Sequence, residues 1–115
     1  TDHSGAVYHA NYLKYFERAR EHLIGVGELR RLWEQAGVGF VVYRADLTYK
    51  RGAVFGDAIV IRTAVTLESV YRAVFAQAAH RAEELLVDGR VELVCVDRAG
   101  SLVKLPAHVR DAIAT

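Results

Sequence analysis

The sequence predicts an α+β fold in which one amphipathic helix is wrapped by a curved antiparallel sheet. Hydrophobic residues near the start recur at three- and four-residue steps, whereas Val, Ile, Thr and Tyr dominate from Gly39 onward and alternate with polar residues. The strand-like segments follow one another with short turns, which favours antiparallel pairing. The chain has 115 residues, which fits one domain, so we expect residues 1–115 to form a single unit.

The composition limits the possible partners and locations. Hydrophobic residues make up 52% of the chain and charged residues 25%, and the net charge is +1. Near-neutral charge argues against nucleic acid or an acidic membrane surface as the main partner. No apolar run approaches the roughly 20 residues that span a bilayer, so we expect no membrane insertion. The only cysteine, Cys95, lies in the apolar run VELVCV, and we expect a buried thiol and a cytoplasmic protein.

The first helix is predicted from about Asn11 to the glycines at positions 25 and 27. Residues 1–9 are predicted to form a loop, because Asp2 and Ser4 favour turns and Gly5 permits backbone angles that other residues avoid. A second short helix is predicted over residues 28–35, with its end at Gly37. The following residues are predicted to form the buried face of the first helix: Tyr12, Phe16, Ala19, Leu23 and Val26.

Strands are predicted over residues 39–51 and 57–69, with a turn at residues 52–57. Residues 70–87 are ambiguous, because their alanines and the EELL run favour a helix while their place between two strands favours a hairpin. We predict strand, with a turn near residues 81–84. Asp88 and Gly89 form either a hairpin turn or a bulge within one long strand over residues 85–97. A turn at residues 98–101 follows, and Pro106 is predicted to open a terminal helix.

The opening stretch, TDHSGAVYHANYL, contains residues suited to acyl transfer. Asp2 stands seven residues before His9, which lies at the predicted helix start. A carboxylate can act as nucleophile or general base toward a carbonyl, and free N–H groups at a helix N-terminus can stabilise an oxyanion. The spacing alone fits a simpler interpretation as well, in which Asp2 caps a turn and His9 is an ordinary polar residue. A metal site formed by Asp2, His3 and His9 is not predicted, because no further ligand completes it.

The segment TDHSGAVYHANYLKYFERAR resembles the signature of the hotdog-fold acyl-CoA thioesterases of the 4-hydroxybenzoyl-CoA thioesterase and YbgC-like group. LTYKRGAVFGDAIVIRT and GRVELVCVDRAGSLVKLP resemble later strands of that family, so the resemblance extends from residue 1 to about 110. The family's first strand has no counterpart before Asp2, and we expect a processed chain or part of a longer one. The shared positions of the signature are Asp2, Gly5, Tyr8, His9, Asn11, Tyr12, Glu17, Arg18 and Arg20.

The resemblance implies hydrolysis of a short-chain or aromatic acyl thioester to the free acid and CoA, without a metal or redox cofactor. The acyl donor would be acyl-CoA or an acyl carrier protein. Asp2 would be the nucleophile or the general base, and the backbone N–H of His9 would hold the thioester oxygen. Tyr8, Asn11 and Tyr12 would contact a short or aromatic acyl group.

The resemblance also implies a homodimer or homotetramer with active sites at subunit interfaces. One alternative is a hotdog protein that binds acyl or aromatic ligands without turnover, and another is a structural partner protein. A third is a hydroxyacyl-thioester dehydratase, which needs a histidine paired with a carboxylate deeper in the helix, and we predict that Glu17 faces the wrong side. Lys50 and Arg51 are either phosphate contacts or ordinary basic residues at a strand end. No CoA phosphate contact is assigned within residues 70–82, where Arg72 is only a guess.

Overall fold

A long helix lies across a curved antiparallel sheet. The computed structural model describes the backbone of residues 2–51 and 58–114, and the side chains of these ranges from Asn11 onward. The helices are α1 (Asp2–Ile24), α2 (Val26–Arg31), which continues into a π-helical turn (Leu32–Ala36), and α3 (Ala107–Ala114). The strands are β1 (Gly39–Tyr49), β2 (Val60–Leu67), β3 (Arg72–Arg81), β4 (Glu84–Val96) and β5 (Leu102–Val103).

The sheet has the order β1-β4-β3-β2, and the short β5 pairs with the end of β4. This arrangement confirms the predicted α+β class. Along β2 each residue alternates between half-buried and exposed, as its period-two pattern predicts. The half-buried side chains, among them Ile61 and Val65, face α1 and the core.

The predicted hairpin at residues 70–87 is confirmed. β3 ends at Arg81 and β4 begins at Glu84, and Ala82 takes the left-handed backbone angle (φ 54°) that the tight turn requires. Cross-strand packing has outweighed the helical preference of the alanines, because Ala73 and Ala79 are fully buried against the helix layer. The predicted turn at residues 52–57 lies outside the described residues.

β4 is one long strand through Asp88 and Gly89, and its pairing with β1 and β3 is regular at both residues. The glycine has a packing reason, since a Cβ atom at Gly89 would lie 2.9 Å from Cε2 of Phe16. Gly89 therefore lets the Phe16 ring of α1 rest directly on the backbone of β4.

The predicted start of the first helix is wrong, because α1 begins at Asp2 rather than near Asn11. The loop prediction gave most weight to Asp2, Ser4 and Gly5, which are weak helix formers. Helix propagation is cooperative, however, and residues 2–10 contain no proline to stop a helix that is nucleated further on. The predicted end is confirmed, because Gly25 interrupts the helix with φ 104°.

The buried face of α1 differs from the predicted face beyond Phe16. Tyr12 and Phe16 are 3% and 1% exposed, as predicted, but Leu23 and Val26 are 51% and 56% exposed. The buried stripe continues instead through Arg20, which is 9% exposed. A strict four-residue step (12, 16, 20) follows the helix axis, and a charged residue on that step is easily assigned to the solvent side.

Candidate active site

Three of the predicted site residues, Asp2, Tyr8 and His9, belong to α1, and their side chains lie outside the described part of the structure. His9 is not at the helix start. The N–H groups that an α-helix leaves without an internal acceptor are those of its first four residues, here residues 2–5. Asp2 and His9 are two helical turns apart, about 10 Å along the axis.

The two other predicted contacts, Asn11 and Tyr12, lie one turn further along α1. Tyr12 packs with Phe16, Ala79 and two residues of β4 in a core cluster, and its ring meets the ring of Tyr49 edge-on with centroids 6.0 Å apart. Asn11 is half-buried. In this chain the Tyr12 ring is therefore a core element, and its contact with an acyl group stays a prediction.

A polar network lies under α1 in the middle of the sheet. Gln77 of β3, only 1% exposed, accepts a hydrogen bond from Nη1 of Arg20 at 2.8 Å. Its Nε2 donates to the backbone carbonyl of Phe16 at 2.9 Å and to Oγ1 of Thr63 at 3.1 Å. One amide thus connects α1 with two strands, and sequence reasoning missed it because an isolated Gln inside an alternating strand carries no recognisable signal.

Arg20 combines burial with charge. Desolvation lowers the pKa of its guanidinium, while the neighbouring carboxylates of Glu17 and Glu21 act in the opposite direction. These three side chains, together with Phe40 and Val42 of β1, line a cavity of about 270 Å³. Glu17 is exposed and faces this cavity.

Two of the candidate phosphate contacts, Arg72 and Arg51, are occupied by protein carboxylates. Arg72 pairs with Glu92 at 3.0 Å and with Glu68 at 3.2 Å, and it lies over the ring of Tyr43 at 4.5 Å. Arg51 pairs with Glu84 at 3.0 Å. A CoA phosphate would therefore have to displace an ion pair at either arginine.

Cys95 confirms the prediction of a buried thiol. It is 0% exposed, and burial raises its pKa to about 12, so it is not a thiolate near neutral pH. Among the side chains that the structure describes, no three His, Cys, Asp or Glu residues cluster as metal ligands. No described helix is both long and apolar enough to cross a membrane.

A histidine–carboxylate pair is present, but it lies away from the middle of α1. Nε2 of His108 in α3 bonds Oε2 of Glu28 in α2, and Arg31 holds the same carboxylate at 2.5 Å. These hydrogen bonds lower the pKa of Glu28 to about 2, with Arg31 as the larger cause. The pair lies at the edge of an apolar cavity of about 190 Å³ beneath α3. A dehydratase would need such a pair deeper in α1, and this one joins α2 and α3 instead.

Comparison with known proteins agrees with this architecture. A family model described as the thioesterase-like superfamily matches residues 1–113. The acyl-CoA thioester hydrolase YbgC of Escherichia coli is 35% identical over 99 residues, which cover 84% of this chain and 74% of that protein. The structure of a probable thioesterase from Bartonella henselae has a TM-score of 0.78 and 27% identity, covering 86% of this chain and 84% of that one.

A more distant structure shows the same fold. A 1,4-dihydroxy-2-naphthoyl-CoA thioesterase from Synechocystis has a TM-score of 0.82 at 19% identity, covering 91% of this chain and 80% of that one. The match to the family model covers nearly the whole chain, and the two solved structures share its fold. The chain belongs to the thioesterase-like superfamily and has the hotdog fold.

Proposed function

We propose that this protein is an acyl-CoA thioesterase that hydrolyses a short-chain or aromatic acyl thioester to the free acid and CoA. The observation that carries the proposal is the 35% identity to an acyl-CoA thioester hydrolase over 84% of the chain. The donor is acyl-CoA or an acyl carrier protein, and the reaction needs water but no metal or redox cofactor. The single, buried cysteine fits a cytoplasmic location.

Asp2 is proposed as the nucleophile or general base, and the backbone N–H of His9 as the donor to the developing oxyanion. A continuous helix from Asp2 holds these two residues about 10 Å apart, too far to act on one carbonyl. We therefore propose that residues 2–8 leave the helix in the catalytic form, so that α1 begins near His9. Asp2, Ser4 and Gly5 are weak helix formers, so the conversion costs little.

Thiol release from a panel of acyl-CoA thioesters tests the activity. We expect the intact protein to release CoA, and Asp2→Asn and Asp2→Ala to lower kcat/KM by about 10²-fold or more. Lys14→Ala, at an exposed position of α1 that is not one of the shared positions of the signature, is the matched control and should keep full activity. The proposal fails if the intact protein releases no CoA above background. An inactive protein that acyl-CoA stabilises in a thermal shift assay would be a binding module instead.

Ala10→Pro tests the proposed helix start. Proline is favoured at the first position of a helix and disrupts a helix interior. If the active form begins at His9, the variant should keep its activity while the helical circular dichroism signal falls. Loss of activity together with loss of helix would show that residues 2–8 act in the helical form.

The proposed assembly is a homodimer or homotetramer in which β1 meets a second copy. β1 pairs with β4 on one side, and among the described residues no strand covers its other side. Val42 and Tyr43 on this edge are 50% and 60% exposed, an arrangement that invites pairing with another chain. Light scattering during size exclusion should give at least twice the chain mass, and Val42→Lys should shift the protein toward the monomer. A monomeric wild-type protein would contradict this assembly.

A further inference from the structure

We propose that Gln77 is a positioning residue for the hydrolysis. Its amide fixes the rotation of α1 about its axis and the position of α1 along that axis, and thereby the location of the candidate site. This inference rests on the proposed function. The hydrogen bonds of Gln77 go to Phe16, Arg20 and Thr63, none of which is a predicted site residue, so we infer that it acts through α1.

The contacts define one turn of the helix. Nε2 of Gln77 donates a hydrogen bond to the backbone carbonyl of Phe16, and Oε1 accepts one from Arg20. The amide therefore bonds the first and last residues of the segment 16–20. A slip of one residue moves a helix by about 1.5 Å and rotates it by about 100°. Either displacement would break both hydrogen bonds at once. The two contacts therefore define a single position of α1.

The surrounding apolar contacts lack this directionality. Phe16 packs in one cluster with Ala79, Leu86 and Val87, and its ring lies against Gly89. Contacts between apolar side chains are not directional, so they define the position of α1 less sharply than hydrogen bonds do. The hydrogen bonds of Gln77 supply the missing specificity.

Gln77 is itself held in place. Thr63 stands directly opposite Gln77 in the β2–β3 register, and its Oγ1 accepts a hydrogen bond from Nε2. Burial to 1% exposure excludes bulk water from the amide. The hydrogen bond to Thr63 thus orients the amide from the sheet side, which is the support that a positioning residue needs.

The test compares Gln77→Met with Leu105→Ala. Methionine preserves most of the volume of glutamine but removes both contacts to α1. Leu105 is 1% exposed in the second core cluster, which contains neither Phe16 nor Arg20, so Leu105→Ala is a destabilising control. Both variants are assayed well below their unfolding temperatures, together with Arg20→Lys, which keeps a donor for Gln77.

We expect Gln77→Met to lower kcat by about tenfold to a hundredfold with KM within about twofold, because misplaced helix donors weaken transition-state stabilisation more than substrate binding. Leu105→Ala should retain wild-type kcat, and Arg20→Lys should recover most of the activity that Arg20→Met loses. Wild-type kcat in Gln77→Met, or an equal loss in Leu105→Ala, would overturn the inference while leaving the proposed function intact.

Hydrogen exchange gives a readout that does not depend on activity. Gln77→Met should accelerate exchange of α1 amides around Phe16 and before it by tenfold or more, roughly a tenfold change per lost bond of this kind. Amides of β4 should change less, and Leu105→Ala should not single out α1. Unchanged α1 exchange in Gln77→Met would overturn the inference even if the protein hydrolysed none of the thioesters tested.

Discussion

Among the described strand residues, each face of the sheet buries one polar side chain, Gln77 on one face and Glu92 on the other, and their roles differ. On the face covered by α1, Gln77 bonds a helix carbonyl, a helix arginine and a neighbouring strand. On the opposite face Glu92, which is 5% exposed, pairs with Arg72 at 3.0 Å and lies 3.9 Å from Arg90.

The outer network is a closed ring of charges, because both arginines also pair with Glu68. Its four members lie on β3, β4 and the turn before β3, so it adds no contact between the sheet and a helix. The arginines are 32% and 49% exposed, where water and salt weaken ion pairs. The inner network therefore decides where α1 lies, whereas the outer one supports only the sheet.

The largest expected effect is that of Gln77→Met on stability. Removing the amide takes away the Gln77 acceptor of the buried Arg20 guanidinium and the hydrogen bond from the sheet to the Phe16 carbonyl, which should cost about 2 to 3 kcal/mol of the free energy of unfolding. The free energy of unfolding in urea measures the loss. Adding Arg20→Met should restore part of it, since no charge is then left unpaired. A double variant less stable than both single variants would contradict this coupling.

Gly89→Ala tests whether α1 can move away from the backbone of β4. The new Cβ would meet the Phe16 ring at 2.9 Å, so either the ring or the helix must shift, at about 1 to 3 kcal/mol. Phe16→Leu in the same chain should relieve much of this cost. If Gly89→Ala were neutral in thermal unfolding, the helix would not be fixed as tightly as its hydrogen bonds indicate.

Glu92→Gln should cost less, about 1 kcal/mol, because Arg72 and Arg90 keep Glu68 as a partner. The dependence of stability on salt concentration distinguishes the two networks more clearly. Raising NaCl from 0.1 to 1 M should destabilise the wild type more than Glu92→Gln, because screening weakens half-exposed charge pairs. The loss caused by Gln77→Met should be the same at both salt concentrations. An equal salt response in all three proteins would remove the distinction between the two faces.

The smallest effect is expected at Glu28, where charge again joins two elements at the surface. Its pKa is lowered to about 2 in the folded protein, so this carboxylate stabilises the fold above its unfolded pKa of about 4.5, and the stabilisation is lost as pH falls toward 2. Glu28→Gln should flatten the dependence of the unfolding temperature on pH between these values. At pH 7 His108→Gln should change little. An unaltered acid profile in Glu28→Gln would contradict the role of this pair.

Much of the fold could be predicted from periodicity. The alternation along β2, the end of α1 at Gly25 and the terminal helix after Pro106 depend on local chemistry, and all three are present. The hairpin between β3 and β4 required an additional argument from its neighbours, since the alanines alone favour helix.

The predictions that failed concern positions where local preference loses to tertiary context. Arg20 can be buried because Gln77 accepts a hydrogen bond from its guanidinium, and those two residues are 57 positions apart in the chain. The predicted helix start is wrong because a strong helix can extend cooperatively into the weak helix formers that precede it. The candidate chemistry of Asp2 and His9 came from the resemblance, and no spacing rule alone would have selected it over a capped turn.

The single tryptophan offers a reporter for a part of the molecule that neither network touches. Trp33 lies in the π-helical turn, Arg98 stacks over its ring at 5.0 Å, and the same guanidinium bonds the Trp33 carbonyl at 2.7 Å. Indole fluorescence is therefore tied to the contact between this turn and the segment after β4. A fluorescence transition that precedes the loss of the helical circular dichroism signal would mean that the contact between Trp33 and Arg98 opens separately, while α1 remains packed on the sheet.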